Sequence, residues 1–598
     1  MRKENLAVLG EWVVAGLAAV MFYVILVTSN ALYNGLVMAK YFTFLSCLVV
    51  FSVAVAVWAV GSLRRKENSY RITWIDGAVG IFIGYYLFNT LGWGAANPRQ
   101  VVLSVGMGIW YAGLRILFTS ERIFRILTGI LLLCAGYEAI LGLLQHGGWM
   151  LSNHGLYTVT GTFFNPGPYG GFLAMFVPIA LYGMIRREKS RVGMVCRWLA
   201  GGGFFFGLVL LPITWSRMAW LAAFTGCLAV LGERYGAALK TVIIEHRRVI
   251  ICLTVIAVVG FVVGGIGMWR LKAASAEGRW LIWKIATRMI GDDPVTGCGF
   301  GRFAGGYGEC QAEYFTDPRL AAEVLVAGAP QYAFNEYVQI LVEGGAIGFV
   351  GFMTMAGLGL WGLWRRRKTT GGLFFGTVGL AVFAGGSYPF ALTEFLLVGM
   401  FLLAVAAPAA AGIRVHRYGV AGCWIVLVLT WTIFILLAER PRKEAYEEWR
   451  TDRMMYDMKL YGQVVRSAKL LFPYLKTEPE FLFEYGHSLH FVGDYKNSND
   501  VLMQGVLLSA DPMFWNVMGN NHKMLGHFLQ AEKCYLRAVH GVPNRIYPLY
   551  LLTKLYRETG QKAKMRLLGN DILNFREKIV SPACVEIKRE VAQWMNEP

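Results

Sequence analysis

Between residues 11 and 437 the chain is a succession of apolar runs, each close to 20 residues long, and no other feature restricts its fold as much. The runs lie near 11–29, 41–63, 73–92, 100–118, 126–145, 168–185, 198–213, 218–232, 249–268, 334–363, 371–388, 391–411 and 418–437. About 20 helical residues cross a hydrocarbon core about 30 Å thick. Lipid offers no partner to an exposed amide, so runs of this kind cross as helices. The two runs near 198–232 are short and meet around Pro212. Past residue 440 charge returns to ordinary density, whereas over the whole chain 16% of residues are charged, against about 25% in a soluble protein. The expected architecture is all-α. A polytopic membrane bundle of about thirteen spans covers residues 1–437 and is interrupted by a large loop at 269–333, and a helical domain covers 438–598.

The net charge of +19 would suit a nucleic-acid binder, but its placement argues against that role. Basic residues gather in alternate short loops: Arg64, Arg65, Lys66 and Arg71; Arg122 and Arg125; Arg186, Arg187, Lys189, Arg191 and Arg197; Arg234, Lys240, Arg247 and Arg248; Arg365 to Lys368; Arg414 and Arg417. The short loops of the other side hold Lys40, Arg99 and Arg217. Cytoplasmic loops of membrane proteins carry such an excess, which sets the N-terminus inside and, with an odd number of spans, exports the C-terminal domain. The first run follows a basic start but shows no small-residue cleavage site, so it reads as a retained span. Cys298 and Cys310 share the large loop, where either a bridge or two free thiols is open, and Cys534 and Cys584 lie in the tail.

The tail has its own period. Trp515, Met518, Gly519, His522, Gly526, Phe528, Ala531, Tyr535, Ala538 and Pro543 follow the tetratricopeptide pattern of interlocking small and large residues. Leu482, Tyr485, Gly486, Leu489, Gly493, Tyr495, Leu502 and Gly505 repeat it, and the glycines at 493, 526 and 560 step by 33 and 34. Residues 444–476 fit a degenerate first unit. Stacked repeats present a surface that takes protein or peptide, or they serve as a rigid packing module.

Chemistry concentrates elsewhere. Residues 329–345 read APQYAFNEYVQILVEGG, so Asn335, Glu336, Gln339 and Glu343 crowd the first turns of an otherwise apolar segment. Ionisable groups cost about 2.5–3.5 kcal/mol at a bilayer centre and mark function by default. Glu336, Gln339 and Glu343 stand at i, i+3 and i+7 and can share a helix face, where water binding or capping is the plainer role. Three further polar elements are SNHGLYTVTGTFFNPGPYGGF, TWSRMAWL and the loop from Trp269 to Ala333. In that loop Arg279, Trp283 and Ile290 suggest a surface helix with indoles at the membrane interface. Asp292, Asp293, Pro294 and Gly297 form a turn, and Gly299, Gly301 and Gly305 bring the next segment close to other backbone. Arg217 alone could snorkel to lipid phosphate. The Gly-x-Gly at 299–301 follows a turn, not a strand, and is no nucleotide fingerprint. His146 and His154 lack ligand spacing.

Taken together, GTFFNP (161–166), WSRMAWL (215–221), EGRWLIWKIATRMIGDDPVTGCGFGRF (277–303) and FNEYVQILVEGGAIG (334–348) resemble, in order, the signature blocks of the O-antigen ligase superfamily. The superfamily includes lipopolysaccharide O-antigen ligases, O-antigen polymerases and bacterial protein O-oligosaccharyltransferases, and the resemblance covers roughly residues 70 to 410. It implies a metal-independent, cofactor-free membrane glycosyltransferase of the bacterial inner membrane, with the repeat tail in the periplasm. Such an enzyme moves an undecaprenyl-diphosphate-linked oligosaccharide onto a lipid, a protein or a growing glycan. The resemblance maps two diphosphate-binding arginines onto Arg217 and Arg279; Asn165, Tyr332, Asn335, Arg288 and Arg302 are further candidate substrate-binding residues. A guanidinium suits the leaving diphosphate because its fork donates paired, charge-assisted hydrogen bonds.

The ligases commonly read His-x-His-Asn where this chain has Tyr332-Ala333-Phe334-Asn335. Phe334 cannot carry a proton, and a tyrosine such as Tyr332 ordinarily titrates near pH ~10. Glu336 is the favoured replacement base, with another loop, or positioning without a base, as the alternatives. Two other classes stand beside transfer: a transporter of the lipid-linked glycan, which would place charges near the midplane and show internal repeats, and a non-enzymatic scaffold whose repeats bind a protein partner.

Overall fold

The computed structural model describes residues 2–62, 69–92, 97–186, 190–245, 273–577 and 581–596. The expected run at 249–268, together with Arg64, Arg65, Lys66, Arg187, Lys189, Arg247, Arg248 and Trp269, lies outside them. The chain is all-α, with 79% of it helical. Among the described residues the strands are β1 (Ser69–Thr73) and β2 (Gly412–His416), antiparallel, with Ser69 opposite His416 and Thr73 opposite Gly412. There are two compact units: Met1–Val259, Phe334–Tyr337 and Ile347–Lys443 form the first, and Gly260–Ala333, Val338–Ala346 and Glu444–Pro598 form the second.

Eight helices among the described residues are long and apolar enough to cross a membrane: Leu9–Leu26, Gly35–Gly61, Pro98–Leu117, Glu121–His146, Pro166–Ile185, Arg191–Ile213, Glu336–Arg366 and Tyr418–Asp457. Leu373–Ala384 and Thr393–Ala409 are shorter apolar helices. The runs expected near 73–92 and 218–232 lie on the helices Trp74–Gly92 and Arg217–Glu245. Every described run is therefore helical, and the protein is a multi-pass membrane protein.

Helix Pro166–Ile185 is the hub of the first unit. Where it meets its neighbours they carry glycine: a Cβ on Gly226 would lie 2.4 Å from Pro178 Cγ, and one on Gly376 would lie 2.5 Å from the Met175 carbonyl. In lipid, where apolar area drives no association, close backbone approach through small residues is what holds helices together.

One sequence expectation is corrected in this unit. Lys40 is not a loop residue: it sits inside helix Gly35–Ser62, almost wholly buried. Its Nζ lies 3.1 Å from Glu394 Oε1 and 3.2 Å from Thr162 Oγ1, and 4.2 Å above the Phe163 ring. A buried ammonium is tolerable only when paired and hydrogen-bonded, and Glu394 supplies the charge.

In the second unit the repeats are helix pairs: Pro479–Phe491 with Tyr495–Val506, Met513–Met524 with Phe528–Gly541, and Ile546–Glu558 with Lys562–Leu573. Each first helix ends in the same C-cap. Gly493, Gly526 and Gly560 take φ of 85°, 77° and 72°, and the next residue's N–H reaches back five positions, as from Asp494 to the Leu489 carbonyl at 2.9 Å. This is a Schellman closure, which needs a left-handed residue. The degenerate first unit has it too. Lys459 takes φ 61° and Leu460 N–H bonds the Met455 carbonyl at 2.9 Å, between the helices Arg440–Asp457 and Tyr461–Leu475.

Lys459→Gly is therefore expected to stabilise that pair by up to about 1.5 kcal/mol. Relief of about 1–2 kcal/mol of left-handed strain outweighs the roughly 0.5–1 kcal/mol that glycine's unfolded freedom takes back. Slower local hydrogen exchange over 446–475 would show it, and faster exchange would refute it.

The long loop belongs to this same unit. Helices Ala273–Asp292 and Phe303–Tyr314 share a core of Leu281, Ile285, Met289, Phe303, Tyr307 and Val342. Within it, the Trp283 Nε1 donates to the Ala333 carbonyl at 2.9 Å.

Candidate functional site

In the first unit four turns converge. GTFFNP leads into helix Pro166–Ile185, and TWSR into Arg217–Glu245. GGSYPF follows Leu373–Ala384, and FNEY starts Glu336–Arg366. A Cβ on Gly170 would stand 2.8 Å from Thr214 Oγ1, and one on Gly386 would stand 2.5 Å from Met218 Cγ, so these turns touch at distances only glycine allows. The Phe334 and Tyr388 rings meet edge to face at 5.3 Å, and Glu336 Oε1 accepts the Phe390 N–H at 2.7 Å.

The local chemistry of each turn explains its shape. Asn165 Oδ1 accepts the Gly167 N–H at 2.9 Å and Asn335 Oδ1 the Tyr337 N–H at 3.0 Å, so both asparagines act as helix caps. Thr214 Oγ1 and Trp220 Nε1 both donate to the Leu211 carbonyl, at 2.7 and 2.5 Å, fixing the bend into the next helix. Within these turns Trp215 (φ 51°) and Phe334 (φ 52°) hold a left-handed backbone. That is costly for a bulky side chain and tends to occur where function demands a shape. Arg217 opens its helix half-buried, and its side chain makes no hydrogen bond, ion pair or ring contact with any described residue. Glu336 is 6% exposed.

The polar run that stands out in the sequence is a short helix of its own. Glu336–Arg366 is broken at Gly345, whose φ 61° and ψ −166° leave helical space. A Cβ there would lie 2.3 Å from the Val295 carbonyl, and one on Gly297 would lie 2.5 Å from the Glu343 carbonyl. The two glycine-rich strings clasp through backbone bonds: Cys298 N–H to Val342 at 3.0 Å, Gly299 N–H to Glu343 at 2.9 Å and Ala346 N–H to Pro294 at 2.9 Å. Side chains close the clasp. Glu343 Oε1 accepts Phe303 N–H at 3.2 Å and Gln339 Nε2 at 2.9 Å, and Gln339 Oε1 accepts Ala333 N–H at 2.7 Å. The three-residue face expected of Glu336, Gln339 and Glu343 is thus divided. Gln339 and Glu343 serve the clasp in the second unit, while Glu336 serves the first.

Arg279, Arg288, Arg302 and Tyr332 fall in the second unit, and Arg217, Asn165, Asn335 and Glu336 in the first. Arg279 is half-buried and already engaged. Arg288 is exposed, with its guanidinium 4.5 Å from the centre of the Tyr314 ring. Arg302 precedes helix Phe303–Tyr314, and Tyr332 is half-buried. Cys298 and Cys310 are free thiols.

Sequence reasoning passed over two groups. One is Ser387-Tyr388-Pro389-Phe390, signalled by a Gly-Gly and a proline interrupting an apolar run. The other is the network behind GTFFNP. Thr162 Oγ1 and N–H bond the two oxygens of Glu138 at 2.6 and 3.1 Å, and Gln145 Oε1 accepts the N–H groups of Thr160 and Gly161 at 2.9 and 2.8 Å. Glu138 and Glu394 are carboxylates inside apolar runs, the same signal that singles out Glu336.

Such a molecule, an apolar helical bundle with a strained polar turn cluster in one unit and helical repeats in the other, is a polytopic membrane protein. Residues 202–353 match the family model described as O-Antigen ligase. The match takes in Arg217, Arg279, Arg288, Arg302, Tyr332, Asn335 and Glu336, and it supports a membrane glycosyltransferase of ligase or polymerase type. No curated protein matches the chain. Among solved structures, one titled "Crystal structure of MamA protein" aligns with 24% of this chain and 83% of its own, at 14% identity and a TM-score of 0.19, a likeness too slight to carry an argument.

Proposed function

We propose that the protein transfers a glycan from an undecaprenyl-diphosphate carrier to an acceptor hydroxyl at the outer face of a bacterial inner membrane, without metal or cofactor. The observation that carries this reading is Arg217, a half-buried guanidinium with no counter-charge among the described residues, set at a helix N-terminus. Helix N-termini and arginine forks both favour phosphate oxygens. In the reaction the acceptor oxygen bonds to the anomeric carbon as the bond to the diphosphate breaks. The electron pair leaves on the diphosphate, where Arg217 stabilises it electrostatically, and the acceptor proton passes to a base, for which Glu336 is the candidate. Arg279, the second arginine that the family resemblance implies, is tested by its own alanine variant.

The acceptor is decided in cells. In a deletion strain, surface glycolipid, glycan chain length and glycoproteins of the envelope are measured side by side. Loss of one fraction, restored by the wild-type gene and not by an Arg217→Ala gene, is the expected result. Three unchanged fractions would overturn the transferase reading.

A further inference from the structure

The repeats of the second unit are built onto the long loop. Helix Phe303–Tyr314 lies so close to the stretch 507–510 that a Cβ on Gly305 would stand 2.1 Å from the Leu507 carbonyl oxygen, and one on Gly308 would stand 2.9 Å from Ala510 Cα. Backbone against backbone at that distance leaves no slack. Gln311, fully buried, ties the contact: its Nε2 donates to the carbonyls of Gly328, at 2.8 Å, and Gly541, while its Oε1 accepts the Tyr307 hydroxyl at 2.7 Å. Asn544 Nδ2 reaches the Ala327 carbonyl at 2.8 Å and that of Leu325 at 3.2 Å. These bonds satisfy carbonyls of a loop that would otherwise have to find water.

The first helices of the repeats spend their polar groups on one another. Tyr456 meets His487 at 2.6 Å, His490 meets Asn521 at 2.6 Å, Lys523 meets Glu558 at 3.1 Å, and Trp449 Nε1 donates to Glu484 at 2.9 Å. Burial pushes the His487 imidazole down to about 4, so this ladder stays uncharged at that rung near neutral pH. A surface laced in this way is preorganised for stiffness rather than for taking up a peptide's charges.

We propose that the repeats act in cis as a brace, holding the loop that carries Arg279, Arg288 and Arg302 in the geometry that transfer requires; this rests on the transferase reading above. Gly305, Gly308 and Gln311 are then positioning residues. The repeat stack is part of the catalytic apparatus without touching substrate.

The test uses the full chain in lipid nanodiscs, with Gly308→Leu and the milder Gln311→Ala. Hydrogen exchange over 303–333 is expected to quicken by about tenfold or more as the local opening cost falls, with helix Pro166–Ile185 unchanged. At saturating lipid-linked donor the transfer rate is expected to fall in step, and Ala510→Gly is expected to recover part of both losses in a Gly308→Ala background. Unchanged loop exchange in both variants would overturn the brace, as would a loosened loop with wild-type transfer. If the wild-type protein itself transfers nothing, the exchange result still decides whether the repeats hold the loop, and the transferase reading alone fails.

Discussion

Arg217→Ala is expected to lower glycan transfer by at least about 10²–10³-fold, the cost of removing one donor aimed at charge that develops in a transition state. The protein should still insert and fold, because the Arg217 side chain bonds no described residue and its removal orphans none of them. This separates the variant from ordinary structural damage, in which lost activity travels with lost protein. Arg217→Lys should recover only part of the rate, since an ammonium keeps the charge but not the paired donors of the fork. Transfer is measured at saturating donor and again at limiting donor. A loss confined to limiting donor would mean that Arg217 holds the ground state equally well, and wild-type rates in the alanine variant would remove it from the mechanism.

Glu336→Gln should cost about 10²–10⁴-fold if Glu336 is the general base. The structure makes the substitution cleaner than it first looks. One bond to the side chain runs from the Phe390 N–H to Oε1 at 2.7 Å, and an amide oxygen can accept the same bond. That contact survives while the proton-accepting function is lost. If Glu336 merely pins the Pro389–Ala391 turn to the start of the helix, the glutamine variant will run at close to wild-type speed. Phe334→His in the Glu336→Gln background supplies the second half of the experiment. Phe334 already sits at φ 52°, and histidine enters left-handed backbone more readily than most residues, so the imidazole can take the position. Recovery of turnover in the double variant supports proton transfer at this turn. A fast Glu336→Gln enzyme ends the base assignment and turns attention to His154, Asp292 and Asp293.

What could be read from the sequence, and what could not, follows from the range over which each signal acts. The glycine step at 493, 526 and 560 marks a local backbone requirement, so the repeats were legible. The first unit was faint because Lys459 bears the same strain without the glycine that announces it. Asn335, Glu336 and Glu343 were legible as polar groups out of place. Their division between two units was not, because it follows from distant partners: Glu336 takes the Phe390 N–H 54 residues ahead and Glu343 the Phe303 N–H 40 residues back. Lys40 was misread for a related reason: a basic residue near the end of an apolar run looks like loop charge until Glu394 is seen beside it. Gly305 declared that some backbone would come close, but nothing in its own neighbourhood could name Leu507.

The Lys40–Glu394 pair also bears on how the protein is made. Synthesis runs from the N-terminus, so helix Gly35–Ser62 is delivered hundreds of residues before the helix that carries Glu394. Until then its ammonium must snorkel, or lean on Glu138 and Thr162 once those have emerged. A lysine without a counter-charge costs about 2.5–3.5 kcal/mol at a bilayer centre. Arrival of Glu394 removes that penalty and locks the early helix to the late one. The pair thus ties an early helix to a late one: a chain truncated before residue 394 keeps the Thr162 contact of Lys40 but lacks the carboxylate that Glu394 brings to it.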